Sequence, residues 1–387
     1  MNKIFHQVRD FFVSLRVTVV LLGFGMLLIF AATLAQVDLG VWGVQKEFFH
    51  SFIAIWHVGP LFVPLPGGYL VGGLLLINLI AAHVYRFKFT WRKSGIFLTH
   101  IGLILLLLGE LFSGLLQEEF QMSFTEGQTK NYSESPRYTE LAVVDTTDPK
   151  FDDVVAIPEK LLQRGEPLQY AKLPFTVVPK IFYPNAGLAW RRDMPNASAS
   201  PATVGRGPEI VTVPQPVTYK ENEQNSPAAF VEIVAPDKSL GTWLVSPRLP
   251  FRQAFEYAGR RWRIELRFER NYEPFSVTLL KVANDYYPGT DIPKNFSSRV
   301  RLNTPESRND REVLIYMNNP LRYAGLTFYQ QQMEIVNRSS VLQVVRNPSW
   351  LMPYISCTLI SLGLLVQFGI HLTGFVSRRR NASARSA

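Results

Sequence analysis

The sequence predicts an integral membrane α-helical protein with four transmembrane helices and one large, mainly-β extracytoplasmic domain. Four apolar runs each approach the ~17–25 residues that a helix needs to cross a hydrocarbon core. The surplus positive charge is confined to one side of those runs. There, 11 Lys/Arg, among them Arg9, Arg16, Arg86, Lys88, Arg92 and Lys93, oppose Asp10 alone, whereas Glu118–Pro348 holds 28 Lys/Arg against 27 Asp/Glu. That near-neutral segment of 231 residues breaks into short runs in which polar and apolar residues alternate, the period of half-buried strands.

Taken in order, residues 1–16 place Ile4, Phe5, Val8, Phe11, Phe12 and Leu15 at helical spacing between charges, a cytoplasmic amphipathic helix. Its cationic stretch and the length of the following apolar run do not suit a cleavable signal. Residues 17–35 form the first span. Residues 36–68, rich in Trp and Phe and closed by Pro64, Pro66, Gly67 and Gly68, read as an extracytoplasmic interfacial or re-entrant segment. Spans two (69–85) and three (94–116) make a hairpin around the basic turn 86–93. The β-rich domain covers 117–349, the fourth span 350–375 and a basic cytoplasmic tail 376–387. Strands are expected at Glu140–Asp145, Arg261–Phe268, Ser276–Val282 and Val341–Val345, among others, in antiparallel pairing. Residues 185–227, rich in Pro, Ala, Ser and Asn, read as a long loop or mobile insertion.

By the positive-inside rule both termini and the 86–93 turn are cytoplasmic and the large domain lies across the membrane. The basic balance is thus a topology signal and implies no nucleic-acid partner; membrane lipid is the implied surroundings. One cysteine, Cys357, lies in the fourth span. It excludes an internal disulfide and a dithiol relay and reads as a small packing residue.

Six histidines exist, His6, His50, His57, His83, His100 and His371, none of them in the β-rich segment. That segment also lacks a nucleophile elbow, a phosphate loop and metal-ligand spacing, so no catalytic residue is assigned. His100 lies seven residues past Lys93, roughly 10 Å into the bilayer at ~1.5 Å per residue. A polar group at such depth faces an interior or a ligand, and imidazole is a common axial ligand of haem iron. The bland reading is a hydrogen bond to a neighbouring helix or to Thr99. His83 sits only about 4–5 Å from the same edge, either as an interfacial residue or as a second ligand. The depth difference of ~5–6 Å makes a ligand from another subunit the easier partner for His100. His50 and His57 share a face if their segment is helical. His6 and His371 flank basic clusters and suit head groups. Asn78 and Glu110 are the remaining polar residues within spans.

The chain resembles the ResB family, also called CcsB, of system II cytochrome c biogenesis. The resemblance rests on Ser14-Leu-Arg-Val-Thr, Pro64-Leu-Pro-Gly-Gly68, Ile77-Asn-Leu-Ile-Ala-Ala-His83 and Lys93-Ser-Gly-Ile-Phe-Leu-Thr-His100-Ile-Gly. In the β segment it rests on Glu273-Pro-Phe-Ser-Val-Thr-Leu, Tyr287-Pro-Gly-Thr290 and Asn319-Pro-Leu-Arg-Tyr-Ala-Gly-Leu-Thr-Phe-Tyr-Gln330. It implies a subunit of the bacterial cytoplasmic (inner) membrane that works with a CcsA-type haem-handling partner. Together they move haem b outward and attach it to apocytochrome c, with this chain a non-catalytic or co-catalytic part of the haem lyase. The resemblance carries the axial-ligand role to His100, with His83 beside it. It carries an apocytochrome or structural role to Asn319, Pro320, Arg322, Tyr323, Gly325 and Tyr329. The tryptophan-rich haem loop expected of the partner is absent from this sequence. Two other readings are an electron-transfer cytochrome b subunit and a cofactor-free membrane-anchored assembly module.

Overall fold

The computed structural model describes residues 2–220, 223–290, 293–305 and 310–383; Arg385 of the basic tail lies outside them. The chain divides into two compact units, one formed by Met1–Glu118, Tyr219–Glu221 and Arg346–Ala387, the other by Glu119–Thr218 and Asn222–Val345.

The first unit is helical. α1 (Asn2–Phe12) leaves Ile4, Val8 and Phe11 exposed, the apolar side expected of a helix lying in an interface. Ser14 caps the next helix by accepting the Arg16 N–H. α2 (Leu15–Val44) continues past Ala35 and kinks at Gly40, whose φ of 70° is left-handed. A side chain there would also strike the Tyr219 backbone, so glycine is required twice over. After the wide turn Gln45–Phe49 comes a hairpin, β1 (Ile53–Val58) with β2 (Leu61–Pro66). The hairpin closes the helix end: Ala54 and Leu65 pack with Leu28, Ala31, Val44 and Phe48. Then follow α3 (Gly68–Tyr85), α4 (Ser94–Leu116) and the C-terminal helix (Met352–Ser383). Four helices are long and apolar enough to cross a membrane, and their outward faces carry exposed Phe24, Ile29, Leu103 and Phe368, as lipid contact requires.

Close packing joins α4 to the C-terminal helix. Gly95, Gly102 and Gly109 are buried at seven-residue spacing. A Cβ on Gly102 would lie 2.6 Å from Ile360 Cγ1, and one on Gly109 3.0 Å from Met352 Cβ. Small residues let two backbones approach in a medium that gives helices no hydrophobic drive to associate. Ser356 is buried on this side, so the adjacent Cys357 turns outward and is exposed. It is not the packing residue that its apolar setting suggested. Asn78 is fully used: its Oδ1 accepts from Thr18 Oγ1 at 2.6 Å, and its Nδ2 donates to the Phe12 carbonyl at 2.6 Å. It ties α3 to the α1–α2 junction.

The second unit is built from β3 (Glu118–Thr125), β4 (Thr129–Asp145), β5 (Asp153–Pro158), β6 (Thr176–Tyr183), β7 (Ala186–Trp190) and β8 (Ile210–Pro214). It continues with β9 (Ala228–Val234), β10 (Ser239–Val245), β11 (Gln253–Tyr257), β12 (Arg260–Tyr286) and β13 (Pro293–Asn303). It ends with β14 (Arg311–Tyr316), β15 (Leu321–Tyr323), β16 (Leu326–Glu334) and β17 (Ser339–Arg346). The main sheet runs β14-β13-β12-β4-β3-β17-β16-β15, with β5 on β4 and β11 on β12. It rolls on itself. The Ser298 and Ser340 hydroxyls meet at 2.7 Å and are buried, although three strands, β12, β4 and β3, separate β13 from β17 in that order. Val300, Ile315, Leu326, Phe328 and Leu342 fill the interior, and Tyr316 bridges to Asn319 where the end strands meet.

β4 and β12 are long because they serve two cores. Their outer halves, with β5, pack against the three-stranded sheet β10-β9-β6 around Trp262, Phe175, Leu141 and Val231. The described part of 185–227 is not a loose insertion: β7 pairs with β8. The Arg191 guanidinium donates to the carbonyls of Pro208, Ala197 and Ser198 at 2.9–3.2 Å. Backbone pairing and one arginine satisfy the polar groups that composition alone assigned to a loop.

Candidate functional site

The α3–α4 hairpin concentrates the polar and aromatic chemistry of the helical unit. The connection between the helices alternates, Arg86-Phe87-Lys88-Phe89, before the single turn Trp91–Lys93 opens α4. Phe87 folds back to stack on the His83 ring at 4.9 Å and 19°, and lies 5.9 Å from Phe97. Phe89 meets Phe97 edge-on at 5.4 Å. Apolar rings packed this way wall the histidines on the loop side.

Within this cluster the imidazoles of His83 and His100 lie 4.8 Å apart, centre to centre, inclined at 49°. The depth difference estimated along the helices does not separate them. Each Cα–Cβ bond points toward its own helix N-terminus. α3 and α4 are antiparallel, so His83 reaches away from the loop while His100 reaches toward it, and the side chains converge.

Both rings are oriented alike. His100 Nδ1–H donates to the Ile96 carbonyl at 2.7 Å and His83 Nδ1–H to the Leu79 carbonyl at 3.3 Å. A carbonyl only accepts, so Nδ1 carries a proton in each ring, and in the neutral form Nε2 holds the lone pair. This is the arrangement of a metal-binding imidazole, whose second nitrogen is fixed by an outer partner. His83 Nε2 is buried without a hydrogen-bond partner, an orphan that a ligand or metal would relieve.

The pair suits one face of a metal centre. Metal–imidazole bonds are about 2 Å, so two imidazoles on opposite faces of one iron stand farther apart than rings in contact. At 4.8 Å the rings touch. Among the described residues no group of three or more His, Cys, Asp or Glu is placed to hold a metal ion.

The other histidines are dispersed. His57 lies on β1, opposite Phe62, and His50 follows the turn before it and stacks on Tyr69 at 5.5 Å and 9°. They share no helical face, because Pro64, Pro66 and the β-branched run favour a hairpin. His371 Nε2 is 2.9 Å from Gln367 Nε2, whose amide oxygen accepts the Ile96 N–H at 3.3 Å. Glu110 is exposed near the opposite end of α4.

The β-unit motif is a tight hairpin. Tyr323 pairs with Leu326 across a two-residue turn, and Ala324 and Gly325 both have positive φ, 49° and 78°, as a type I′ turn demands. Tyr323 packs edge-on against Phe275 at 4.9 Å. Asn319 exchanges backbone hydrogen bonds with Tyr316, and Pro320 is half-buried as it enters β15. These residues hold the hairpin. Arg322 and Tyr329 are exposed members of the motif.

Sequence reading missed Phe87 and Phe97 as walls, and Gln367 with the glycine stripe as the support behind α4. The stripe was visible at 95, 102 and 109; the aromatic walls were visible as alternation within the basic turn.

The model of the ResB-like family matches residues 261–336, which hold most of β12, all of β13–β15 and the β16 side of the hairpin. Protein NrfI of Wolinella succinogenes is 23% identical over 301 residues, 76% of this chain, and the match spans 29% of NrfI's own length. Within residues 261–336, which carry the hairpin motif, the chain is similar to the ResB-like family, and it spans less than a third of the length of the curated relative it matches.

Proposed function

We propose that this chain is a membrane subunit of cytochrome c biogenesis. It would hold haem b at the inner end of α3 and α4 and act with a CcsA-type partner in delivering it to apocytochrome c. The similarity of residues 261–336 to the ResB-like family and the match to NrfI support the biogenesis role. The single observation that carries the haem assignment is the His83–His100 pair, with both Nδ1–H groups anchored and the Nε2 of His83 unpartnered.

In this reading the charge bias puts both termini and the 86–93 turn in the cytoplasm and the β unit in the periplasm of a bacterial inner membrane. Haem arrives from the cytoplasmic side as cargo and supplies its own iron chemistry. The chain contributes one imidazole ligand, the aromatic walls and exclusion of water. His100, held by the shorter anchor, would hold the iron, with His83 beside it. The β unit, with no histidine, presents the client through Arg322 and Tyr329.

Covalent haem in a co-expressed apocytochrome, read by haem stain, tests the division of labour. His100→Ala should abolish most staining. Arg322→Ala/Tyr329→Ala should lower staining while haem still copurifies with the membrane complex. Normal staining with His100→Ala at equal protein level would refute the reading.

A further inference from the structure

Two cations stand at the mouth of the histidine pair. Arg86 is the residue that ends α3, three after His83, and Lys93 is the residue that opens α4, seven before His100, so each cation flanks the loop end of its histidine's helix. Both are exposed, and neither forms an ion pair with an acidic side chain among the described residues. Between them Phe87 and Phe97 stack at 5.9 Å and 28°, continuing the His83–Phe87 stack.

Topology alone would explain a basic turn. It does not explain Phe87 folded onto the His83 ring with Phe97 and Phe89 packed behind it, nor a cation at the loop end of each histidine's helix. A wall of flat rings, two imidazole lone pairs and two unpaired cations at one rim match a planar metal-bearing macrocycle with two carboxylates on one edge. We propose that Arg86 and Lys93 bind those two carboxylates and so set the orientation in which the ring enters. This rests on the haem reading of His83 and His100. Long aliphatic stems let both head groups reach the rim while their carbons cover the aromatic wall. Arginine adds a bidentate fork for one carboxylate.

The test uses the full-length chain in nanodiscs, titrated with ferric haem and with haem dimethyl ester and followed by Soret absorbance. The ester keeps the ring and iron and lacks the carboxylate charges. Wild type should bind haem about tenfold more tightly than the ester, the scale of two exposed charge pairs. Arg86→Gln/Lys93→Gln should bring haem down to the ester's affinity without moving the Soret band. Lys88→Gln/Arg92→Gln removes the same charge from the same turn and should keep the preference. Equal loss in that control would mean general attraction and would overturn the proposal, as would a preference surviving in Arg86→Gln/Lys93→Gln. A preference seen in zwitterionic discs and lost in discs containing phosphatidylglycerol would assign the cations to lipid head groups instead. A wild type that binds both rings equally overturns this inference and leaves the histidine reading standing. One that binds neither overturns both.

Discussion

Gly363 of the C-terminal helix lies directly against Thr99, the residue before His100: a Cβ on Gly363 would come within 2.7 Å of the Thr99 amide nitrogen and 2.8 Å of the Gly95 carbonyl oxygen. The turn that carries His100 is therefore positioned from behind by backbone contact. Gln367, one turn farther on, accepts the Ile96 N–H, one of the N–H groups that a helix start leaves unpaired.

Gly363→Ala should separate α4 from the C-terminal helix and tilt the His100 turn. Overpacking of this kind costs about 1–3 kcal/mol. Thermal unfolding in detergent should show a lowered midpoint, and Gly369→Ala, where nothing lies within 4 Å of the added carbon, should not. Equal midpoints for the two variants would contradict the close approach.

Asn78 should behave as a structural residue. Asn78→Leu leaves the Thr18 hydroxyl and the Phe12 carbonyl without the amide, a cost of about 1–3 kcal/mol. Faster proteolysis near the α1–α2 junction, with the His83 and His100 spectrum retained, is the expected outcome. Loss of the spectrum at wild-type stability would instead make Asn78 part of the ligand site.

In the β unit, Arg267 and Glu140 pair at 2.9 Å while nearly buried, at 9% and 5% exposure, directly opposite each other on β12 and β4. Glu140→Ala leaves the nearly buried guanidinium with Glu265 alone, at 3.4 Å, and should cost at most about 3–5 kcal/mol. Glu140→Leu/Arg267→Leu should recover most of that loss in chemical denaturation. A double variant as unstable as the single one would show that the pair stabilises the strand junction beyond its own charges.

Asp145 supplies a pH signature. Its carboxylate accepts from Thr147 Oγ1 at 2.6 Å and Thr147 N–H at 3.0 Å and pairs with Arg260 at 3.1 Å. The Thr147 hydrogen bonds first, then the Arg260 charge, hold this carboxyl below the usual range. A depressed carboxylate stabilises the fold fully above its unfolded pKa, about 4, and the contribution fades as pH falls through the folded value. The stability gap between wild type and Asp145→Asn, under about 1 kcal/mol for a surface pair, should be widest near neutrality and shrink in acid. A gap constant from neutral to acid pH would remove the linkage.

The spans, the basic turn and the antiparallel β unit were legible because hydropathy length, charge asymmetry and two-residue alternation each encode them locally. The convergence of His83 and His100 was not, since counting residues along a helix gives Cα depth and omits the opposite lean of side chains on antiparallel helices. The hairpin at 53–66 and the ordered ribbon within 185–227 were hidden for a different reason. Leu61–Pro66 carries two prolines and Ala186–Trp190 carries Gly and Ala, where composition reads as loop, although Ile210–Val213, the partner of the second, reads as a strand. Cys357 was misplaced because apolar surroundings in a span include lipid as well as neighbouring helices.

The most direct measurement is the visible absorption spectrum of the chain purified with its membrane partner, beside His83→Ala and His100→Ala. A Soret band with sharp reduced α and β bands should weaken strongly in His100→Ala and less in His83→Ala. Identical spectra in all three well-folded samples would place the haem elsewhere and contradict the ligand role of the α3–α4 pair.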